Sequence, residues 1–218
     1  MSEAFDAGKD HPAIKIMFMD EARFGRINDV RRCWAPLGIR PIVPFQIVRE
    51  YTYAYAAVCP FDGDLDALIL PDVNAESMSL FLQELSENHA NEHIVLILDR
   101  AGWHTAKDLN VPQNITLHWI PPYSPELNPV EHLWDEIREK WFLNRYFASL
   151  DAVEDQLMMS LKTLMENPKQ VESICLFSWM INCILNANWY KRFKAQGVEQ
   201  YTVEELGVQG VWLSTNCN

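Results

Sequence analysis

At 218 residues, with 49% hydrophobic and 22% charged side chains, the chain can bury one sizeable core and has the composition of an ordinary globular domain. No apolar run approaches the roughly 18 residues of a membrane span, and the acidic N-terminus MSEAFDAGKDHPAIK lacks the positive-then-apolar pattern of a secretory signal. A net charge of −12 speaks against a simple nucleic-acid-binding surface, and five scattered cysteines (Cys33, Cys59, Cys175, Cys183, Cys217) without C-x2-C spacing point to reduced thiols in a cytosolic protein.

IKIMFM, Ile14 to Met19, is a short apolar β-prone run that predicts a buried strand ending at Asp20-Glu21. RRCWAPLGIRPIVPF follows, and its Pro36, Gly38, Pro41 and Pro44 predict short strands and turns. YTYAYAAV (Tyr51 to Val58) and LDALIL (Leu65 to Leu70) read as strands joined by a turn at Cys59 to Asp64, completing a meander. Residues 74 to 88 place Met78, Leu80, Phe81, Leu82 and Leu85 at helical spacing, with Asn74 as the N-cap. HIVLILD (His93 to Asp99) and NITLHWI (Asn114 to Ile120) are further strands. From Asn128 the pattern is helical, near 129 to 143, 149 to 166 and 176 to 195. The order implies a mixed α/β fold, with a central sheet flanked by helices and a helical C-terminal half.

Charge is unevenly distributed. Residues 1 to 60 hold eight Lys/Arg against seven Asp/Glu, whereas residues 61 to 110 hold two against ten. Any contact with DNA should therefore involve the arginines at 23, 26, 31, 32 and 40, although solvated arginines need no ligand to explain them.

Two apolar strands end in an acid, Asp20 and Asp99. In open α/β sheets, ligand sites form outside the carboxyl ends of parallel strands, so parallel neighbours would bring both carboxylates into one crevice. A lone strand-terminal Asp is ordinarily a turn residue. A third acid, Glu131, follows PPYSPELNP. With Asn128 at the N-cap and Pro129 first in the helix, N-x-x-E also reads as a variant capping box. The two roles are compatible, because the helix dipole stabilises an ionised acid in the first turn. Asp135, one turn on, competes for the third place. Three carboxylates suit a hard cation such as Mg²⁺. A pair of such ions would activate an attacking oxygen and stabilise a leaving one in phosphoryl displacement.

FMDEARFG (18 to 25), RRCWAPLGIRP (31 to 41), LILDRAGWHTA (96 to 106) and IPPYSPELNPVEHLWDEIREK (120 to 140) together resemble the catalytic domain of DDE transposases of the mariner superfamily, in its bacterial insertion-sequence branch. The resemblance runs in order over roughly residues 13 to 190. It implies a ribonuclease-H-like fold and a triad of Asp20, Asp99 and Glu131 that holds Mg²⁺ or Mn²⁺, as two ions. It also implies cleavage of transposon-end DNA, followed by attack of the freed 3′-hydroxyl on target DNA. The implied setting is the bacterial cytoplasm, at the nucleoid, with a homodimer as a possible assembly.

Relatives carry N-terminal helix-turn-helix domains, and nothing before Ile14 could form one. The expectation is a split or truncated transposase, with a leader at 1–12, a catalytic domain at 13–195 and a C-terminal tail of unassigned role at 196–218. Arg100 stands where relatives often have Asn or Gly, placing a cation beside the second acid. Arg23, Arg26, Arg31, Arg32, Arg100, His104 and Lys107 are the candidate DNA contacts; a structural role competes for His104. Tyr123 and Ser124 are assigned to shaping the turn, and the tryptophans at 134, 141, 179 and 189 to core packing. The rival readings are a non-catalytic remnant kept as a dimerisation or interaction module, and a nuclease acting on RNA.

Overall fold

The structure, a computed structural model, describes residues 13–28, 30–32 and 34–180. Five strands form one sheet in the order β3-β2-β1-β4-β5. β1 (Ala13–Ile27), β2 (Ile47–Val58) and β3 (Leu65–Leu70) are an antiparallel meander, while β4 (Glu92–Leu98) and β5 (Ile115–Trp119) run parallel to β1. β1 takes the centre because it is apolar on both faces: Met17 and Met19 are fully buried and Phe18 is nearly so.

β1 does not stop at Asp20-Glu21. It continues to Ile27 because buried Ala22 and Phe24 extend the alternation. Its pairing with β4 ends at Phe18↔Ile97, while its pairing with β2 runs from Phe18 to Ile27. Asp20 is therefore an interior residue of a long strand, just past the point where β4 ends beside it. Gly25 is needed where β1 meets β2, since a Cβ there would lie 2.4 Å from Cδ1 of Tyr51.

Among its described residues, the segment between β1 and β2 forms no strands. It projects as an arm with Trp34, Leu37 and Ile42 almost wholly exposed, closed at its base by Asn28, which donates to Pro44 O (2.6 Å) and accepts from Gln46 N (2.9 Å). The β2–β3 turn closes through Cys59 N to Asp64 O (2.9 Å), with Gly63 at φ 72°. A side chain at Gly63 would also strike the Pro168 carbonyl.

Helix α1 (Ala75–Asn88) is capped as anticipated, Asn74 Oδ1 accepting from Ser77 N at 2.8 Å. It lays Met78, Phe81, Leu82 and Leu85 on one sheet face, against Met17, Met19, Tyr55, Ala57, Ile94, Leu96 and Leu98. The other face is covered by α2 (Val130–Ile137) and α3 (Leu150–Met165), followed by α4 (Pro168–Cys175). The expected helix over 129 to 143 is α-helical only to Ile137 and then makes a π-helical turn, Arg138–Phe142. Phe142 there packs on Phe24 (4.9 Å between centroids) and Phe147 (5.3 Å). Helix α4 was not anticipated; its short amphipathic turn pair is too brief for a strong periodic signal.

The chain divides into two compact units after Cys175, and all named elements belong to the first. The leader at 1–12, the tail at 196–218 and most of the helix expected over 176 to 195 lie outside the described residues. Among the described residues, no helix is long and apolar enough to cross a membrane. Cys59 and Cys175 are buried free thiols, and burial pushes both up to about 12.

Candidate metal centre

Asp20 projects from β1 on the same face as Phe18, Ala22 and Phe24, the face covered by α2. The indole N–H of Trp134 donates to its Oδ2 at 3.0 Å. Trp134 is fully buried and packs edge-on to Phe24, 6.0 Å between ring centroids, so the donor has little freedom to move away. The start of α2 is tied to the same strand: Asn128 Nδ2 donates to the carbonyl of Met19 (2.9 Å), and Asn128 Oδ1 accepts from Val130 N (3.2 Å). Asn128 thus clamps the start of the helix beside Asp20 through Val130 N, but the N-cap position is Pro129 rather than Asn128, and there is no reciprocal box with Glu131.

Glu131, partly buried in the first turn of α2, has its backbone N–H on the Asn128 carbonyl (3.3 Å). Its negative charge is felt at Asp20. Burial first, then Glu131 and Glu21, raise the Asp20 pKa to about 7, against the opposing hydrogen bond from Trp134. Asp135 is exposed, lies 3.9 Å from Arg138, and lines a separate acidic groove with His132, Glu136, Glu139, Ser173 and Ile174.

Asp99 immediately follows β4. The β1/β4 pairing ends at Phe18↔Ile97, two residues short of both Asp20 and Asp99; the charges that act on Asp20 are those of Glu131 and Glu21. Asp99 Oδ1 accepts from Ala101 N (3.0 Å) and lies 2.9 Å from Nδ1 of His104, which is also 3.0 Å from the Asp99 carbonyl. The other ring nitrogen, Nε2, is 2.8 Å from Oε1 of Glu21, and Trp103 Nε1 donates to that same oxygen at 3.0 Å. Burial lowers the His104 pKa, but the bond and charge of Glu21 and then the Asp99 backbone and charge outweigh it, so the net shift is upward.

Glu21 is not the end of a strand, as the apolar run before it predicts, but an interior residue of β1 that belongs to this centre. The signal was available: in a continuing strand Glu21 shares a face with Met17 and Met19, and an acid aimed at a core face requires a partner. His104, proposed as a DNA contact, is 2% exposed and bound at both nitrogens, so it does not reach a ligand from this position. Arg26 is likewise committed within the fold, donating to the carbonyls of Phe147 (3.2 Å) and Ala148 (2.7 Å) and pairing with Glu50 (2.7 Å). Arg23, Arg31, Arg32, Arg100 and Lys107 are exposed. Arg23 lies over the Tyr51 ring (4.5 Å) and Arg100 over Trp119 (5.9 Å), beside Asp99. Tyr123, in the turn leading to α2, is fully exposed at φ 58°.

A second set of ligand-type atoms belongs to Asp64, Asp66 and His89, all within 4.8 Å of one another. It lies at the other end of the sheet, since His89 pairs with Glu92 at the first residue of β4 (2.7 Å) and β4 is about 20 Å long. Positive charge is already supplied there: Lys15 meets Asp62 (2.9 Å) and Asp64 (2.8 Å), and His89 meets Asp66 (2.8 Å). The bond to Asp66 raises the His89 pKa, burial opposes it, and Glu92 adds to the rise, reaching about 9. This cluster is an ion-pair network, separate from Asp20, Asp99 and Glu131.

A central strand flanked by an antiparallel meander on one side and parallel strands on the other, with acids where the parallel pairing ends, is the ribonuclease-H-like arrangement. The chain belongs to the DDE superfamily endonucleases, whose family model matches residues 15–154, a span that includes Asp20, Asp99 and Glu131. It is 41% identical over 130 residues to the uncharacterized protein y4pE/y4sA of Sinorhizobium fredii, covering 59% of this chain and 96% of that one. It is 28% identical over 131 residues to the transposable element Tcb1 transposase of Caenorhabditis briggsae, covering 51% of this chain and 44% of the relative. The fold is shared with Mos1 transposase in a pre-cleavage transpososome (TM-score 0.54, 15% identity, 86% of this chain and 57% of that one). It is shared equally with the Mos1 paired-end complex with Mn (TM-score 0.51, 19% identity, 75% and 56%). The chain spans about half the length of these transposases.

Proposed function

We propose that this domain cuts phosphodiesters at the ends of a mobile DNA element and joins the freed 3′-hydroxyl to target DNA, with Asp20, Asp99 and Glu131 holding two Mg²⁺ or Mn²⁺ ions. The observation that carries this reading is the match to the DDE superfamily endonucleases over residues 15–154, a span that holds all three acids. Burial and the charges of Glu131 and Glu21 raise the Asp20 pKa to about 7, which agrees with acids gathered around a cation site. All-oxygen donors of this kind fit a hard divalent cation.

When bound, such ions supply charge stabilisation to the attacking and leaving oxygens. The chain's own residues supply position. Trp134 holds one oxygen of Asp20, Asn128 fixes the approach of Glu131, and Ala101 and His104 hold one oxygen of Asp99. In the first step water adds across a P–O3′ bond, leaving a 3′-hydroxyl and a 5′-phosphate. In the second, that hydroxyl displaces the 3′-oxygen of a target phosphodiester, so one such bond forms as one breaks. The exposed Arg23, Arg31, Arg32, Arg100 and Lys107 are assigned to DNA phosphates. Arg100, next to Asp99 in the chain and with its guanidinium over the Trp119 ring, is assigned to the phosphate under attack.

Recognition of the element's ends is assigned to a helix-turn-helix domain acting with this one, because a chain of net charge −12 lacks the phosphate-neutralising surface that dominates DNA affinity. The apolar arm with exposed Trp34, Leu37 and Ile42 supports a homodimer, since a surface of that kind is favoured when a partner covers it. The test is nicking of supercoiled DNA carrying the element's ends, with a recognition domain supplied in trans. Cleavage should require Mg²⁺ or Mn²⁺, stop with EDTA, and fall by at least about 10²-fold in Asp99→Asn and Glu131→Gln. Equal cleavage by wild type and Asp99→Asn would end the enzymatic reading in favour of an interaction module.

A further inference from the structure

We infer that Glu21 and His104 form a buried positioning pair for Asp99, committing one carboxylate oxygen to the protein and leaving the other for the cation; this rests on the metal-centre reading above. Asp99 needs such help. It lies beyond the last residue of β4 with its side chain 63% exposed, where a short acid would otherwise sample several rotamers. Instead, both of its side-chain contacts fall on Oδ1, from Ala101 N at 3.0 Å and His104 Nδ1 at 2.9 Å. Among the described residues nothing bonds Oδ2. His104 is in turn held rigidly, its Nε2 2.8 Å from Glu21 Oε1, an oxygen that also takes the Trp103 indole N–H.

The hydrogen-bonding roles follow from the partners. Nδ1 faces a carboxylate oxygen and a carbonyl, both of them acceptors, so it donates to Asp99, while Nε2 lies 2.8 Å from Glu21 Oε1 and 3.0 Å from the Trp103 indole nitrogen. Its 2% exposure and the contacts at both nitrogens rule out His104 as a base acting on substrate. The arrangement also carries a cost that packing alone does not explain. Glu21, its side chain only 6% exposed, shares a face with Met17 and Met19, and polar groups buried there are generally no more stable than apolar residues of similar volume. Aiming Asp99 accounts for it. The arrangement extends the logic by which outer partners orient metal ligands: the ring backed by a carboxylate is familiar, but here it orients an acid rather than serving as the ligand. Trp134 gives Asp20 the matching constraint on one oxygen from the opposite sheet face.

The test uses Mn²⁺ alone, titrated into the full chain and read from the electron paramagnetic resonance signal of the free ion. Removing an outer partner typically weakens metal affinity by about 10- to 100-fold, so His104→Ala should bind Mn²⁺ at least about tenfold more weakly than wild type. His104→Asn, whose Nδ2 can still donate to Asp99, should recover most of that loss. Glu21→Gln keeps an acceptor for the ring and for Trp103 but loses the charge, and should weaken binding by about threefold or more. Leu85→Ala, in the core beneath α1, destabilises the fold without touching the centre and should leave affinity unchanged. The inference is overturned if folded His104→Ala, or Glu21→Gln where His104→Ala does not fold, binds within about twofold of wild type while Asp99→Asn has lost the ion. It is also overturned if Leu85→Ala matches their losses. If Asp99→Asn binds as wild type does, the metal-centre reading itself fails and this inference falls with it.

Discussion

Asp20→Asn isolates the charge that the fold tolerates for the sake of its site. An acid whose native pKa lies above its unfolded value holds its proton more tightly when folded. The native state is therefore favoured while that proton is on, and loses stability as pH climbs from the unfolded value of about 3.9 towards the native value. For Asp20 the native value is about 7, set by burial, by Glu131 and by Glu21. At about 1.4 kcal/mol per pH unit, ionising Asp20 costs the metal-free protein about 4 kcal/mol once both states are deprotonated. That is a large share of the 5–15 kcal/mol typical of a domain. Asparagine keeps an oxygen for the Trp134 N–H and cannot ionise. Urea unfolding in EDTA should therefore show Asp20→Asn gaining on wild type by about 2 to 3 kcal/mol between pH 5 and pH 8.5, nearly all of it below pH 7.5. Added Mn²⁺ should stabilise wild type and leave the variant unmoved. A wild-type-to-variant difference that does not change with pH, or a variant less stable at pH 8.5, would refute the account of Asp20 as an uncompensated acid.

Asn128→Ala removes a buried donor to Met19 O and the acceptor for Val130 N, so unfolding should cost about 1–3 kcal/mol less, and amide exchange should quicken first at the start of α2. Arg26→Ala should lower stability by about 1–2 kcal/mol, because its bonds to Phe147 and Ala148 tie β1 to the loop before α3 and its pairing with Glu50 ties β1 to β2. Its effect on DNA affinity, measured by fluorescence polarisation, should be slight. Arg32→Ala and Lys107→Ala should instead weaken DNA binding across sequences and each reduce the salt slope by about 0.9, with melting unchanged. His89→Gln should cost about 2 kcal/mol at pH 7. The His89 pKa is raised to about 9, so its contribution is complete below pH 6.5 and should vanish, with the gap to the variant, as pH rises through about 9.

Much of this protein was legible in its residues. The strands at 51–58, 65–70, 93–98 and 115–119, the helix over 75–88 with its Asn74 cap, and the helix over 150–165 all follow from periodicity and capping chemistry, which depend on neighbours a few positions apart. The acids at 20, 99 and 131 were picked out by their place after apolar runs or at a helix start. The true length of β1 was not visible, because a strand ends where its partners end. β4 leaves β1 at Phe18 while β2 accompanies it to Ile27, and that depends on residues 20 to 79 positions away.

The same holds for what surrounds the acids. Local sequence made Glu21 the residue after Asp20, His104 a candidate for DNA and Trp134 a core aromatic. Only the packed sheet makes Glu21 and Asp20 project to opposite faces, sets His104 between Glu21 and Asp99, and brings the Trp134 indole to Asp20. Sequence by itself put forward three acids as candidate cation ligands. Tertiary structure decided that the Trp134 indole holds one oxygen of Asp20 and that Glu21 and Trp103 meet beside His104, because hydrogen bonds across 82 to 114 positions form only once both sheet faces are covered.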